Sequence, residues 1–308
     1  MRVAVTGGTG LVGGSLVRAL RERGDEVAII SRRSGPQTIT WDVERGLLDA
    51  ADLARFEAIV HLAGESISGR WTAGKKARVL HSRVRSTELL TKKILELPAA
   101  DRPRHFISAS AIGYYGPGPH AGRLNEDAPA SEVFIAEVCR KWEAASEPLE
   151  QAGLRRVRAR IGIVLSTKGG ALKNMLLPFK LGLGGPLGTG TQHLPCIHEL
   201  DMTRALTFCL DQEAFSGPVN CVSPEPVTSK EFAEALGKVV NRPAVLPAPA
   251  FALRLIFGEM ADQLLLGDYP VVPERLQAEG FRFAYPKLPE MLEALLKPRA
   301  KAGVPAHA

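Results

Sequence analysis

The string Thr6-Gly7-Gly8-Thr9-Gly10-Leu11-Val12-Gly13 stands between an apolar β-branched run, Arg2 to Thr6, and a helix-period segment, Leu11 to Arg23. Three glycines at this spacing between a strand and a helix constrain the chain strongly. Gly7 permits a tight turn, Gly10 lets backbone approach a pyrophosphate, and Gly13 allows the helix to pack closely on a sheet. The backbone around Thr9, Leu11 and Val12, with the positive helix end, then faces one point and suits an anionic ligand. The competing reading is a glycine-rich turn that holds nothing.

The text continues as alternating strands and helices. Glu26 to Ser31, Thr38 to Trp41, Ala58 to Leu62, Arg104 to Ala109 and Arg155 to Ile161 read as strands, with helices at about Ala73 to Leu97 and Ser131 to Gln151 between them. Apolar strands of this kind belong to a parallel sheet covered on both faces. The expected fold is α/β, a doubly wound Rossmann-like sheet with a smaller, mostly helical C-terminal domain on the substrate side. Pro178 to Pro195 is so dense in Gly and Pro that it reads as an irregular loop. After it come a helix near Asp201 to Leu210, a strand around Val219 to Val222, a helix capped by Thr228 or Ser229, and amphipathic helices at Gly258 to Leu266 and Leu288 to Leu296. The division expected is 1–223 for the nucleotide domain, 224–298 for the C-terminal domain and 299–308 for a disordered tail.

The second strand ends Ile29-Ile30-Ser31-Arg32-Arg33. An acidic residue there would hold the 2′-hydroxyl of NAD, and none is present. A hydroxyl followed by two guanidinium groups suits a 2′-phosphate instead, which favours NADP(H). Arg33 reads equally as a solvated surface charge. Asp42, just past the third strand, either accepts from the adenine amino group or is an ordinary turn aspartate. The fourth strand ends His61-Leu62-Ala63-Gly64, where small residues let backbone pass close to a cofactor. His61 itself reads as a strand-packing residue.

Five strings carry a wider resemblance: LAGESISGRWTAGKKARVLHSRVRST, SASAIGYYG, FIAEVCRKWEAA, LPFKLGLGGPLGTGTQHLPCIHELD and FGEMADQLLLGDYPVVPERLQAEGF. With TGGTGLVG, they make the chain similar to the atypical "epimerase family protein" branch of the extended short-chain dehydrogenase/reductases, over nearly its whole length. The resemblance implies a nucleoside-diphosphate-sugar-epimerase-like first domain and a C-terminal domain of unknown function. It implies cofactor contacts by Ser31, Arg32, Leu62, Ala63 and Arg83, and by Val164 after the sixth strand. In the wider superfamily a Ser, a Tyr and a Lys act together on the substrate oxygen, and the resemblance places Ser110 at the serine. The Tyr and Lys places fall on Ile135 and Cys139, which carry neither a proton nor a fixed positive charge. Arg83 then compensates for the lost lysine charge. Tyr114 and Tyr115, at the carboxyl end of the fifth strand, are either packing residues or unorthodox proton donors, and Tyr115 joins Ser110 as a catalytic candidate.

Composition narrows the classes. Of 308 residues 45% are hydrophobic and 23% charged, the profile of a globular protein, with a formal net charge of +6. That excess is too dispersed to argue for nucleic acid, and no aromatic single-strand platform accompanies the basic helix bearing Arg70, Lys75, Lys76, Arg78 and Arg85. Cys139, Cys196, Cys209 and Cys221 lack CxxC pairing and fit a reducing cytoplasm. His193 and His198 lack metal-ligand spacing, so no metal is assigned. The longest apolar stretch, Ala244 to Gly258, is broken by prolines and Arg254 and falls short of the roughly 20 residues of a membrane span, so no membrane partner is expected. The expected partner is a small polar substrate, and by resemblance a homodimer. The functional reading is an NADP(H)-binding oxidoreductase or sugar-nucleotide-epimerase-like protein with a degenerate Tyr/Lys pair. The alternative is a non-catalytic NADP(H)-binding redox sensor or scaffold.

Overall fold

The computed structural model describes residues 1–297; the expected disordered tail, 299–308, and the last residue of the expected C-terminal domain lie outside the described residues. The strands are β1 (Arg2–Thr6), β2 (Glu26–Ser31), β3 (Thr38–Thr40), β4 (Ala58–His61), β5 (His105–Ala111), β6 (Arg155–Ile161), β7 (Ile163–Leu165), β8 (His193–Leu194), β9 (Cys196–His198), β10 (Gly217–Cys221) and β11 (Val227–Thr228). Seven of them form one sheet in the order β10-β6-β5-β4-β1-β2-β3, with all neighbours parallel. The order reverses between β1 and β4, and ligands in open sheets bind beyond the carboxyl ends of the strands at such a reversal.

The helices are α1 (Leu11–Glu22), α2 (Ala73–Glu96), α3 (Phe134–Ala144), α4 (Glu147–Gln151), α5 (Gly170–Lys180), α6 (Glu199–Asp211), α7 (Ser229–Val240), α8 (Ala250–Phe257), α9 (Glu274–Ala278) and α10 (Leu288–Leu296). The pleat of β1 sends Val3 and Val5 to one face, against Leu16 and Leu20 of α1 and Met202 and Leu206 of α6. Ala4 goes to the other face with Ile59, Phe106 and the α2 residues Leu90 and Ile94. Both faces are therefore dry, as an all-parallel sheet requires. A third core joins Leu172 and Phe179 of α5, Phe232 and Leu236 of α7, and Met291 and Leu292 of α10. The small helical unit is thus built from chain on both sides of residue 223.

Three elements differ from expectation. The helix expected over Ser131 to Gln151 is two, α3 and α4, because Pro148 in the first turn of α4 cannot donate to a preceding carbonyl and blocks continuation. The Gly- and Pro-rich stretch begins inside α5, which holds Pro178 within its last turn and buries Leu172 and Phe179. In place of one helix from Gly258 to Leu266 the chain forms α8 earlier, ends it at Gly258 with φ +60°, and then makes a π-helical turn over Ala261–Leu265. Thr228 caps α7, with Glu231 closing a capping box.

One buried chain of hydrogen bonds fixes the reversal between β1 and β4. Thr6 Oγ1 accepts the N–H groups of Leu62 and Ala63, each at 3.0 Å, and donates to His61 Nδ1 at 2.7 Å. Ser86 Oγ donates to Ser82 O at 2.7 Å, so it accepts from His61 Nε2–H at 3.1 Å. His61 therefore packs within its strand, as expected, but also holds a strand end in place. Burial, with Arg83 nearby, lowers its pKa to about 3. A folded-state value below the ordinary 6.5 gives stability that is complete above that pH and is lost as pH falls towards the folded value. Between pH 6.5 and 5 the wild type should lose about 2 kcal/mol relative to His61→Gln, measured by urea unfolding; parallel pH profiles would show that the ring is not held neutral.

Candidate functional site

The glycine turn occupies the carboxyl edge of β1. Gly7 has φ +67°, and a Cβ there would stand 2.9 Å from the backbone of Leu62, at the end of β4. A Cβ on Gly13 would stand 2.2 Å from Gly7 O, so only glycine lets α1 approach the turn this closely. Gly10 N–H donates to Gly7 O at 2.9 Å, and α1 starts after Gly10 without a side-chain cap and without an acid in its first turn. Its first N–H groups are left for a ligand, which is what a pyrophosphate requires. Thr9 and Gly10 are exposed, and Leu11 and Val12 are half-buried. A Cβ on Gly170 would meet both Leu11 Cδ2 and Val164 O at 3.4 Å, so the segment after β7 lies beside this first turn.

At the end of β2, Ser31 Oγ accepts Arg33 N–H at 3.1 Å. Arg32 and Arg33 are exposed, and neither meets a carboxylate among the described residues. Asp42 accepts Arg45 N–H at 3.1 Å and bridges to Leu47, so its carboxylate serves a turn.

Arg83 projects from α2 towards Gly64, where a Cβ would lie 3.2 Å from the guanidinium carbon. Its Nη1 donates to Glu65 O at 3.0 Å and Val79 O at 3.1 Å, and the group lies 5.0 Å from the Trp142 ring centroid. Burial lowers its pKa, while the neighbouring Cys139 and Glu65 favour its charge. The other cations of this helix start are answered by protein: Lys75 pairs with Glu65 at 3.1 Å, Lys76 with Glu259 at 2.8 Å, and Arg70 Nη1 donates to Leu255 O at 2.7 Å. Lys76 and Arg70 thereby hold the C-terminal segment.

Ser110 and Tyr115 are both 2% exposed and belong to one buried network. Ser110 Oγ donates to Glu143 Oε1 at 2.6 Å, and Glu143 takes Arg160 in a two-pronged pair, Nε to Oε1 at 2.9 Å and Nη2 to Oε2 at 3.1 Å. Arg160 Nη1 donates to Tyr115 Oη at 2.9 Å, and that hydroxyl donates to Asn220 Oδ1 at 2.7 Å. Asn220 N–H in turn reaches Glu126 Oε1 at 2.9 Å. Arg160 also stacks 3.5 Å from the Tyr114 ring centroid. Burial pushes the Tyr115 phenol up to about 12, away from the range of a proton donor near neutrality. Both hydroxyls are engaged by protein partners, Ser110 by Glu143 and Tyr115 by Arg160 and Asn220.

Ile135 is buried beside Trp71 and Met260, and its N–H donates to Gln263 Oε1 at 3.0 Å. Cys139 Sγ donates to Ala111 O at 3.6 Å, and burial and Glu143 push the thiol up to about 12, so it stays protonated and unreactive. His193 Nδ1 meets Asp268 at 2.7 Å, and His198 Nδ1 accepts Leu200 N–H at 3.0 Å as the cap of α6. Among the described residues, no group of three or more His, Cys, Asp or Glu is placed to hold a metal.

Sequence reasoning missed Thr6, Glu143, Arg160, Glu126 and Asn220. The signal was present in β6, where Arg156, Arg158 and Arg160 occupy alternate positions of a central strand and so share one face. Cations at such positions require acceptors, and α3 supplies the buried Glu143 while α4 supplies the half-exposed Glu150.

The chain belongs to the NAD dependent epimerase/dehydratase family, which residues 3–221 match. Residues 248–295 match a domain of unknown function, DUF1731. The chain is similar to epimerase family protein SDR39U1 of Bos taurus, 40% identical over 301 residues that cover 96% of this chain and 100% of the relative. Epimerase family protein YfhF of Bacillus subtilis is 34% identical over 305 residues, 97% of this chain and 99% of its own. The crystal structure of human epimerase family protein SDR39U1 (isoform 2) with NADPH matches with a TM-score of 0.88 at 36% identity, covering 97% of this chain and 100% of that one. Thermus thermophilus UDP-glucose 4-epimerase, in complex with NAD, shares the fold with a TM-score of 0.71 at 20% identity, covering 96% and 97%.

Removing one partner of the buried Glu143–Arg160 pair leaves the other charged and unanswered. Arg160→Met should therefore lower unfolding free energy by about 3–5 kcal/mol in denaturant titration. A loss below about 1 kcal/mol, as for a solvated pair, would show that the two are not held together out of water.

Proposed function

We propose that this chain is an NADP(H)-binding oxidoreductase or epimerase-type protein in which the usual tyrosine and lysine are replaced. The observation that carries this reading is the acid-free edge of the glycine turn. Two unpaired guanidinium groups, on Arg32 and Arg33, follow a serine where a carboxylate would select NAD. The crystallisation of the human relative with NADPH supports it.

In this reading the N–H groups of Thr9, Gly10, Leu11 and Val12, on the frame of Gly7 and Gly13, hold the pyrophosphate. Ser31 and Arg32 hold the 2′-phosphate, and Asp42 stands beside the adenine. Leu62, Ala63, Gly64 and Val164 supply backbone along the cofactor, and Arg83 holds ribose or phosphate oxygens. The cofactor supplies a hydride when bound. Arg83 keeps a fixed positive charge beside Cys139, where the wider superfamily has lysine. Ile135 moves no proton, which leaves the hydroxyls of Ser110 and Tyr115, or solvent, to supply the proton of any reduction. Residues 1–223 would carry the nucleotide, and the helical remainder would roof a small polar substrate.

A second reading, an NADP(H)-binding redox sensor or scaffold without turnover, is favoured by the packing at the Tyr and Lys places. Ile135 is sealed under Trp71 and Met260, and the Cys139 thiol is held protonated. NADPH consumption across a panel of carbonyls and nucleotide sugars separates the two: turnover supports the first, binding without turnover the second. Arg32→Glu should weaken NADPH binding by about 10- to 100-fold through loss of a charge-assisted contact, with NADH unaffected, as read by quenching of cofactor fluorescence. Unchanged selectivity would remove Arg32 from the site.

A further inference from the structure

The described residues expose large apolar side chains almost entirely in one place. All but Met1, Leu47 and Leu200 lie in residues 177–183 and 245–256. Leu177, Leu181 and Leu183 come from α5 and the loop after it; Val245, Phe251 and Leu255 come from the strip leading into α8 and from α8 itself. Phe251 is 73% and Leu255 74% exposed, values that packing inside a globular chain does not produce for such residues.

The two segments form one surface. Arg242 Nε donates to Lys180 O at 3.1 Å, Leu246 N–H to Gly184 O at 3.2 Å, Ala248 N–H to Pro186 O at 2.9 Å and Gly188 N–H to Ala248 O at 2.9 Å. Its charge is one-sided. Neither 173–183 nor 242–256 contains an Asp or Glu, while Lys173, Lys180 and Arg242 are exposed and meet no carboxylate among the described residues. Arg254 is answered by Asp262 at 2.8 Å. On α5, Lys173, Leu177, Lys180 and Leu181 fall at i, i+4, i+7 and i+8, so cations and leucines share one helix face.

We propose that this face docks on the surface of an anionic phospholipid bilayer. Apolar knobs enter the acyl boundary while the lysine and arginine stems reach back to the headgroups, the arrangement by which peripheral helices bind. A second copy of the chain fits less well, because a two-fold contact would set these cations against themselves with no acid on the face to pair them. No described helix is long and apolar enough to cross a membrane, and docking on a bilayer surface requires none.

The test is co-sedimentation of the full chain with vesicles, either phosphatidylcholine alone or phosphatidylcholine mixed in about equal parts with phosphatidylglycerol. The chain should sediment with the anionic vesicles and be released by salt. Phe251→Glu combined with Leu255→Glu, and separately Lys173→Glu with Lys180→Glu and Arg242→Glu, should each cut partitioning about ten-fold or more. All these positions are exposed, so unfolding midpoints should match the wild type. Absence of binding by the wild type, or binding by either variant as strong as the wild type's, overturns the proposal. A dimer in light scattering that Phe251→Glu and Leu255→Glu dissolve, without vesicles present, also overturns it and makes the face a self-interface.

Discussion

The hydroxyl of Thr6 holds together the point where strand order reverses. It takes the N–H groups of Leu62 and Ala63, which have passed the end of β4, and ties them to β1. His61 and Ser86 extend the tie to α2. Because these groups are buried, each bond left unmade would cost the desolvation of a polar group, so the junction has one arrangement. Gly7 depends on it, with only 2.9 Å between its missing Cβ and the backbone of Leu62. The cradle is shaped by β4 as much as by its own glycines.

A second buried seam, from Ser110 through Glu143, Arg160, Tyr115 and Asn220 to Glu126, closes the far half of the sheet. It links β5, α3, β6 and β10. Charges sealed this way fix geometry and give up proton exchange with solvent. The C-terminal segment completes the closure through Gln263 on Ile135 and Glu259 on Lys76. The glycine turn stays open and Arg32 and Arg33 stay exposed, while Ile135 and Cys139 are packed under neighbouring side chains.

The fold was legible because the glycine spacing and the dry strands each admit few arrangements. Gly7, Gly10 and Gly13 marked the turn between β1 and α1, and the absent acid after β2 is the local feature on which the proposed coenzyme preference rests. The pairings were hidden, since Glu143 and Arg160 meet only after α3 packs on β6, and no local pattern records a contact across 17 residues of helix and turn. For the same reason Lys75 and Lys76 read only as part of a basic helix, although Glu65 and Glu259 answer them. The α5 helix was masked by Pro178, which sits late enough that two turns form before its missing N–H matters. Ile135 and Cys139 were found through resemblance, and the structure supplied what covers them.

The central claim is that an acid-free, cation-edged cradle on β1 and β2 selects the phosphorylated coenzyme. Isothermal titration of the folded chain with NADPH and with NADH measures this directly. NADPH should bind tighter by about ten-fold or more, the increment expected for one charge-assisted phosphate contact. Equal affinity for the two coenzymes, or no heat from NADPH, would contradict it.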